Sequence, residues 1–510
     1  GTLLEFSAAY HEIQSEASGR RAVKLEAAGD YASFTLKETS NAVVLRYCLP
    51  DGEAGGRTSS LLAVYVDGEK AGTILLSSKF AWIYNYADDW PGSNDSAAGL
   101  PCRFFDDVRF LFDCGLPEGT RIVFKKEDED GWCVIDMAEF ELIPAPLARP
   151  ENSISITDFG AAADGRDCRD ALNECFKSAK AEGKEIWIPE GIFTVAEGAN
   201  FYVNGVTMRG AGMWYSALEG AAYFMVRGGG NRFSDFSILG DVTLRADYLA
   251  QCAFETAAGR GNIFENLWLE HVKCGFWVKG ADGMIIRNCR VRNTFADGIN
   301  LTGGSKNSVV ENCDIRNTGD DGIALNSERN QDCVGNAVRN NMVRLPYHAS
   351  GIAVYGGGDN VIESNAVYDI VAYGGGINVS SRFNPSPFHG TTVVKGNLLI
   401  RTGSSTSERG MNQGAIWLAA WEKGVNGIAF SGNRLVDSVC DGITFDGAGV
   451  FSEITFEGDR AEVAAGWGIR VFEGTSGGAS FTGVKITGAA KGALNAGGGF
   501  TVSKGCGNNW

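Results

Sequence analysis

A glycine followed by a bulky apolar residue returns every twenty-odd positions through the later part of the chain, at Gly275-Phe276, Gly298-Ile299, Gly322-Ile323, Gly351-Ile352, Gly376-Ile377, Gly442-Ile443 and Gly468-Ile469. Asparagine keeps a similar stride at Asn266, Asn288, Asn312, Asn341, Asn365, Asn397 and Asn433, with intervals of 22, 24, 29, 24, 32 and 36 residues. The segments between are short and β-rich, with no helical periodicity. One such repeat cannot bury its apolar residues alone, but stacked copies can, so the pattern predicts a parallel β-helix from about residue 200 onward. The longer intervals read as coils with inserted loops. Asparagines stacked along the axis and glycines at tight corners form the expected ladder, which the 69 glycines fit.

The segments ahead of the repeat differ. Residues 1–143 alternate short apolar runs with turn residues, as in Ala42-Val43-Val44-Leu45-Arg46-Tyr47 and Leu62-Ala63-Val64-Tyr65-Val66, which predicts an antiparallel β-sandwich. Three of the 11 prolines fall between Ile143 and Pro150, so residues 144–152 read as a linker and 153–510 as the β-helix domain. A helix-compatible run from about Cys168 to Ala181 resembles the helix with which pectate-lyase-type right-handed β-helix proteins close their first coil. A cap there is expected physically, since an open solenoid end exposes a long unpaired strand edge.

Within the repeat, three aspartates carry the chemistry. Asn288 to Asp297 and Asn312 to Asp321 are both nine residues, each followed by Gly-Ile, and Asp320 adjoins Asp321. Stacked coils would bring Asp321 to about 4.8 Å from Asp297. Carboxylates that close resist ionising together, so one should hold a proton near neutrality while the others stay anionic. An acid beside a base is what glycoside hydrolysis requires. Asp441-Gly442 and Asp282-Gly283, by contrast, read as ordinary turns. His348, Ser350 and Tyr355 fall one coil beyond the acids, and Tyr373, Asn378 and Arg382 one further, so they should line the same cleft against substrate. Trp417 and Trp421 are candidates to stack on sugar rings or to fill the core.

The Asp-Gly-Ile-Asn segment, an Asp-Asp pair 23 residues after its aspartate, the β-helix and the sandwich in front resemble glycoside hydrolase family 87, the α-1,3-glucanases (mutanases) and mycodextranases. The resemblance implies an inverting, endo-acting enzyme on α-1,3-glucan or nigeran, secreted and bacterial-type, with Asp320 as general acid and Asp297 and Asp321 activating water. No catalytic cofactor is implied. The sandwich resembles carbohydrate-binding modules of the families 6 and 35 type, which implies a structural Ca²⁺ held by Glu12 and Asp136, oxygen ligands of the kind that ion prefers. Trp82, Tyr84, Tyr86 and Trp90 could dock sugar or pack against the β-helix.

Charge narrows the partners. A net charge of −17 disfavours nucleic acid, anionic membranes and polyanionic sugars, and favours a neutral α-glucan. No apolar run approaches a membrane span. The N-terminus lacks a leader, as a processed secreted chain would, and capped solenoid ends leave a monomer sufficient. The 13 cysteines show no CxxC pairing and read as mostly buried thiols. Rival readings are a dextranase, a polygalacturonase, a uronan lyase, or a non-catalytic tailspike-like glycan binder. A lyase needs a cation and a basic residue where this cluster is all carboxylate. Polygalacturonases carry Gly-His-Gly and Arg-x-Lys, of which only Tyr347-His-Ala-Ser-Gly gives a partial echo.

Overall fold

The computed structural model describes all residues except 87–91, 329 and 406–410, so Trp90 lies outside the described residues. The chain forms two compact units, Gly1–Ala145 with Thr243–Ala246, and Pro146–Val242 with Asp247–Trp510. In the first unit a five-stranded and a four-stranded antiparallel sheet enclose a core of Leu25, Val43, Leu45, Val64, Ile122 and Phe124. The alternation in Ser59–Val66 and Arg121–Lys126 sends every second side chain into that core, as the sequence pattern required.

The two expected calcium ligands have other partners. Between Ile135 and Met137 the strand Cys133–Glu141 shifts register against Ser40–Cys48, and this bulge carries Asp136. The Asp136 carboxylate accepts the Ser18 N–H (2.8 Å) through Oδ1 and Arg46 Nη1 (2.5 Å) through Oδ2, with both side chains fully buried. The Arg46 guanidinium thus occupies the place expected for a cation. Glu12 is exposed, and its carboxylate accepts from Gln14 Nε2 at 3.2 Å. Trp82, Tyr84 and Tyr86 are internal or half-buried: Trp82 packs edge-on against Phe104 and donates to the Leu49 carbonyl, and Tyr84 bonds Asp51.

The second unit is a parallel β-solenoid whose coils add one strand each to sheets of 14, 12 and 12 strands. The helix Arg169–Glu182 buries Ala171, Leu172, Cys175 and Ala179, and Gly183, in the left-handed region, ends it. Phe176 on this helix packs against Phe201 and Phe224, the first rings of an interior stack that continues through Phe254 to Phe276. All 13 cysteines are free, and all but Cys114 and Cys506 are buried.

The residues after the recurrent glycines stack in register as Phe276, Ile299, Ile323, Ile352, Ile377, Ile416, Ile443 and Ile469, an alanine standing before Ile416. The glycines are required by close approach rather than by turning: a Cβ at Gly275, Gly298, Gly322, Gly351, Gly376, Gly442 or Gly468 would lie 2.5–2.9 Å from a carbonyl oxygen of the next coil.

The asparagines form two rows, where the sequence suggested one. Asn266, Asn288 and Asn312 share with Asn340 a left-handed corner (φ 53–55°). Asn341, Asn365, Asn397 and Asn433 stand one position later and are buried. In this inner row Asn365, Asn397 and Asn433 each accept through Oδ1 the backbone and side-chain N–H groups of the preceding asparagine, Asn341 Oδ1 accepts the Cys313 N–H, and each Nδ2 donates to a main-chain carbonyl. Asp459 ends the row, accepting Asn433 N (2.8 Å) and Nδ2 (2.7 Å) through Oδ1. Burial pushes its carboxyl up to about 6. With the folded value raised, the stabilising contribution is complete below the unfolded carboxyl range and is lost as pH rises through about 6. Asp459→Asn, which can accept the same two bonds, is therefore expected to stabilise the protein by about 2–3 kcal/mol near pH 8 and to change little near pH 4. Thermal unfolding at the two pH values checks this, and equal shifts at both would contradict it.

Candidate active site

Asp297 lies in the turn between strands Arg290–Arg292 and Ile299–Thr302, and Asp320 and Asp321 lie in the equivalent turn one coil on, between Asp314–Arg316 and Ile323–Asn326. Two backbone bonds lock these turns together, Gly298 N to Asp321 O (3.0 Å) and Gly319 N to Ala296 O (3.1 Å). Gly319 has no room for a side chain, because a Cβ there would lie 2.4 Å from both the Phe295 carbonyl and the Tyr347 hydroxyl. The turns consequently stack tightly. One carboxylate oxygen from each of Asp297, Asp320 and Asp321 falls within 4.8 Å of the others, the only such acidic grouping among the described residues. Asp297 and Asp321 are buried to within a few per cent, whereas Asp320 is partly exposed.

Each buried acid is held by donors. Asn300 Nδ2 donates to Asp297 Oδ2 at 3.1 Å. Asp321 accepts the Ser350 N–H through Oδ1 and the Tyr355 hydroxyl through Oδ2, both at 2.8 Å. Asp320 Oδ1 accepts the Asp321 N–H at 3.0 Å. Burial and the charge of Asp320 push Asp321 up to about 7, against the Ser350 and Tyr355 bonds and the Arg382 guanidinium, which favour its anion. One carboxyl of the cluster therefore retains a proton near neutrality.

Asp441 provides an internal control. It precedes Gly442-Ile443 in the same register four coils after Asp321, and its Oδ1 accepts the next coil's Trp467 N–H (2.7 Å) as Asp321 accepts Ser350. Arg470 stands 3.5 Å from its other oxygen. It is a buried, ion-paired carboxylate, not the plain turn residue the sequence suggested. The Asp-Gly-Ile string thus supplies the placement, and only the stacked trio supplies a cluster of acids.

The other expected residues divide. His348 and Tyr373 stack on each other, ring centroids 4.5 Å apart, on the coils beside the trio. Tyr355, expected against sugar, instead spends its hydroxyl on Asp321. Trp417 projects outward in register with Asn378 but is 1 % exposed. The Arg382 guanidinium covers both tryptophans, 5.3 Å from the Trp417 ring and 4.5 Å from that of Trp421, whose Nε1 donates to Asp446 at 2.7 Å. Neither ring face next to Arg382 is open to a sugar. Asn378 is buried as well. Sequence reasoning missed Asn300, although it closes the Asp-Gly-Ile-Asn string, and Phe383, which lies in a loop that no repeat governs.

The chain matches two family models, α-1,3-glucanase catalytic domain D1 over residues 1–143 and D2 over residues 162–510. No curated protein matches it. Among solved structures it is similar to the Agl-KA catalytic domain (29 % identity, 99 % of this chain and 95 % of that one, TM-score 0.92). It is also similar to the catalytic unit of a thermostable GH87 α-1,3-glucanase from Streptomyces thermodiastaticus strain HF3-3 (28 %, 100 % and 94 %, TM-score 0.90). A third similar structure is a GH87 α-1,3-glucanase catalytic domain in complex with nigerose (28 %, 100 % and 96 %, TM-score 0.88). GH87 catalytic domains are also solved, with tetrasaccharides or nigerose, as three single aspartate-to-alanine variants, one 23 positions ahead of an adjacent pair. That is the spacing of Asp297, Asp320 and Asp321.

Proposed function

Because the chain belongs to the family of α-1,3-glucanase catalytic domains, glycoside hydrolase family 87, we propose that it cleaves α-1,3-glucosidic bonds within α-1,3-glucan or nigeran, with inversion at the anomeric carbon. The observation that carries this reading is the three-aspartate cluster stacked from consecutive coils. Hydrolysis of this kind needs no catalytic cofactor, since the acids themselves move the protons.

Asp320 delivers the proton to the departing glycosidic oxygen. It is the only one of the three with appreciable exposure, whereas both Asp321 oxygens already accept from Ser350 and Tyr355. Asp297, steadied by Asn300, and Asp321, steadied by Ser350 and Tyr355, then orient a water molecule and take its proton as it attacks the anomeric carbon. As the leaving group accepts a proton from Asp320, the base pair gains one, so the trio ends with its proton count unchanged. A polymeric glucan cannot cross a membrane, which supports a secreted enzyme acting on an extracellular neutral polysaccharide.

Incubation with α-1,3-glucan, nigeran, dextran and polygalacturonate, following reducing ends and the anomeric form of the first product, tests the reading. Release from α-1,3-linked polymers with β-configured product is expected. Preferential turnover of polygalacturonate, or an α-configured first product, would contradict the substrate and the stereochemistry respectively.

A further inference from the structure

A loop that leaves strand Ile377–Ser380 crosses back toward the acids and is fastened along its length. Arg382 N donates to Ser380 Oγ (3.0 Å) and Phe383 N to Glu422 Oε1 (3.1 Å). The Pro385 carbonyl accepts from Lys423 Nζ, Pro385 also bridges Glu328, and Ser386 N donates to the Ser327 carbonyl (2.5 Å). Within this fastened loop Phe383 and Asn384 both take the left-handed region, with φ of 66° and 51°. Asparagine is at home there. A bulky residue is not, and a strained backbone persists only where the surroundings impose it or the side chain is worth keeping.

Phe383 is 62 % exposed, so no core packing accounts for it. It meets Tyr355 in a T-shaped contact, ring centroids 5.6 Å apart at 66°, and the Tyr355 hydroxyl is the one bonded to Asp321. The Arg382 guanidinium lies 4.7 Å from the ring centroid. Arg382 thus lies over one face of each of the three rings, but Trp417 is 1 % exposed and Trp421 half-buried, so Phe383 is the aromatic residue left largely exposed at the rim of the acid cluster, one side chain removed from Asp321.

We propose that Phe383 is the sugar-stacking platform of this site, its ring packing against the apolar C–H face of a glucosyl unit of the bound α-1,3-glucan chain beside the bond being cleaved. The inference rests on the α-1,3-glucanase reading above and adds the residue that grips the chain. Aromatic rings favour such faces because they offer a large, rigid apolar surface at small entropic loss.

Phe383→Gly separates this role from a structural one. Glycine relieves the left-handed strain, so thermal stability should stay level or rise, while KM for soluble α-1,3-gluco-oligosaccharides should rise about tenfold with kcat nearly unchanged. Phe383→Tyr, which keeps the ring, should restore KM to within about twofold. An unchanged KM in Phe383→Gly, or a loss of stability and kcat without a change in KM, would overturn the inference. If the wild-type enzyme were inert on α-1,3-glucan, the functional reading itself would fail and this inference with it, whereas wild-type activity with an unaltered Phe383→Gly variant removes the platform alone.

Discussion

Asp320→Asn is expected to lower turnover on α-1,3-glucan by about a hundredfold to ten-thousandfold, the range a positioned general acid supplies. The fold should survive, because the side chain is partly exposed and the amide oxygen of asparagine can still accept the Asp321 N–H. Stability above neutrality should even rise slightly. The charge of Asp320 is one of the causes that lift Asp321 to about 7, and a raised carboxyl gives stability that is present at low pH and lost as pH climbs through that value. The acid role has a sharper signature than inactivity alone. A glycosyl fluoride with an α-1,3-linked glucosyl donor carries a leaving group that needs no proton, so Asp320→Asn should process it far better than the polymer, while Asp297→Asn and Asp321→Asn should fail on both. Near-normal polymer hydrolysis by Asp320→Asn would remove it from the acid role, and equal impairment on the fluoride would make it a water-holding group instead.

The sequence revealed the solenoid and its acids for one reason: both obey the coil period. Ile299 and Ile323, or Asp297 and Asp321, recur at one offset because neighbouring coils must repeat the same backbone path, so counting residues is equivalent to stacking them. Where the period says nothing, the reading failed. Arg382 and Phe383 sit in an insert between strands Ile377–Ser380 and Phe388–His389, and no spacing could announce that Arg382 would cover Trp417. The outward direction of Trp417 was legible from alternation with Ile416, but its cover was not. The two asparagine rows merged in the sequence because Asn340 and Asn341 are neighbours, and the 29-residue step from Asn312 to Asn341 hides a move from the corner to the interior. The calcium expectation did not foresee a bulge. Asp136 is turned toward Arg46, 90 positions away, by a register shift that alternation cannot foretell.

The inner row also explains why coil spacing is uniform enough to hold a catalytic cluster, and Asn365→Leu should show it by costing about 4 kcal/mol or more in unfolding free energy. Asn365 is 1 % exposed. Its Oδ1 accepts Asn341 N and Nδ2, both at 3.0 Å, and its Nδ2 donates to the Val338 carbonyl (2.9 Å) and to Asn397 Oδ1 (3.0 Å). Leucine fills a similar volume but leaves two N–H groups of Asn341 and the Val338 carbonyl buried without these bonds, each worth about 1–3 kcal/mol of desolvation. Asn365→Asp should fare badly for a different reason. It keeps both bonds from Asn341 but points a carboxylate oxygen at two acceptors, so it should be tolerated only when protonated, as at low pH. Asp459 escapes this because it ends the row. The effect should reach the active site before global unfolding: Asn341 belongs to the coil that carries Ser350 and Tyr355, and these two groups hold Asp321. Denaturant unfolding should give the large stability loss, and hydrolysis should fade at temperatures where the sandwich strands still resist hydrogen exchange. A stability change below about 1 kcal/mol would mean that the strand ladders alone fix the coil spacing, and that the asparagine row only fills space.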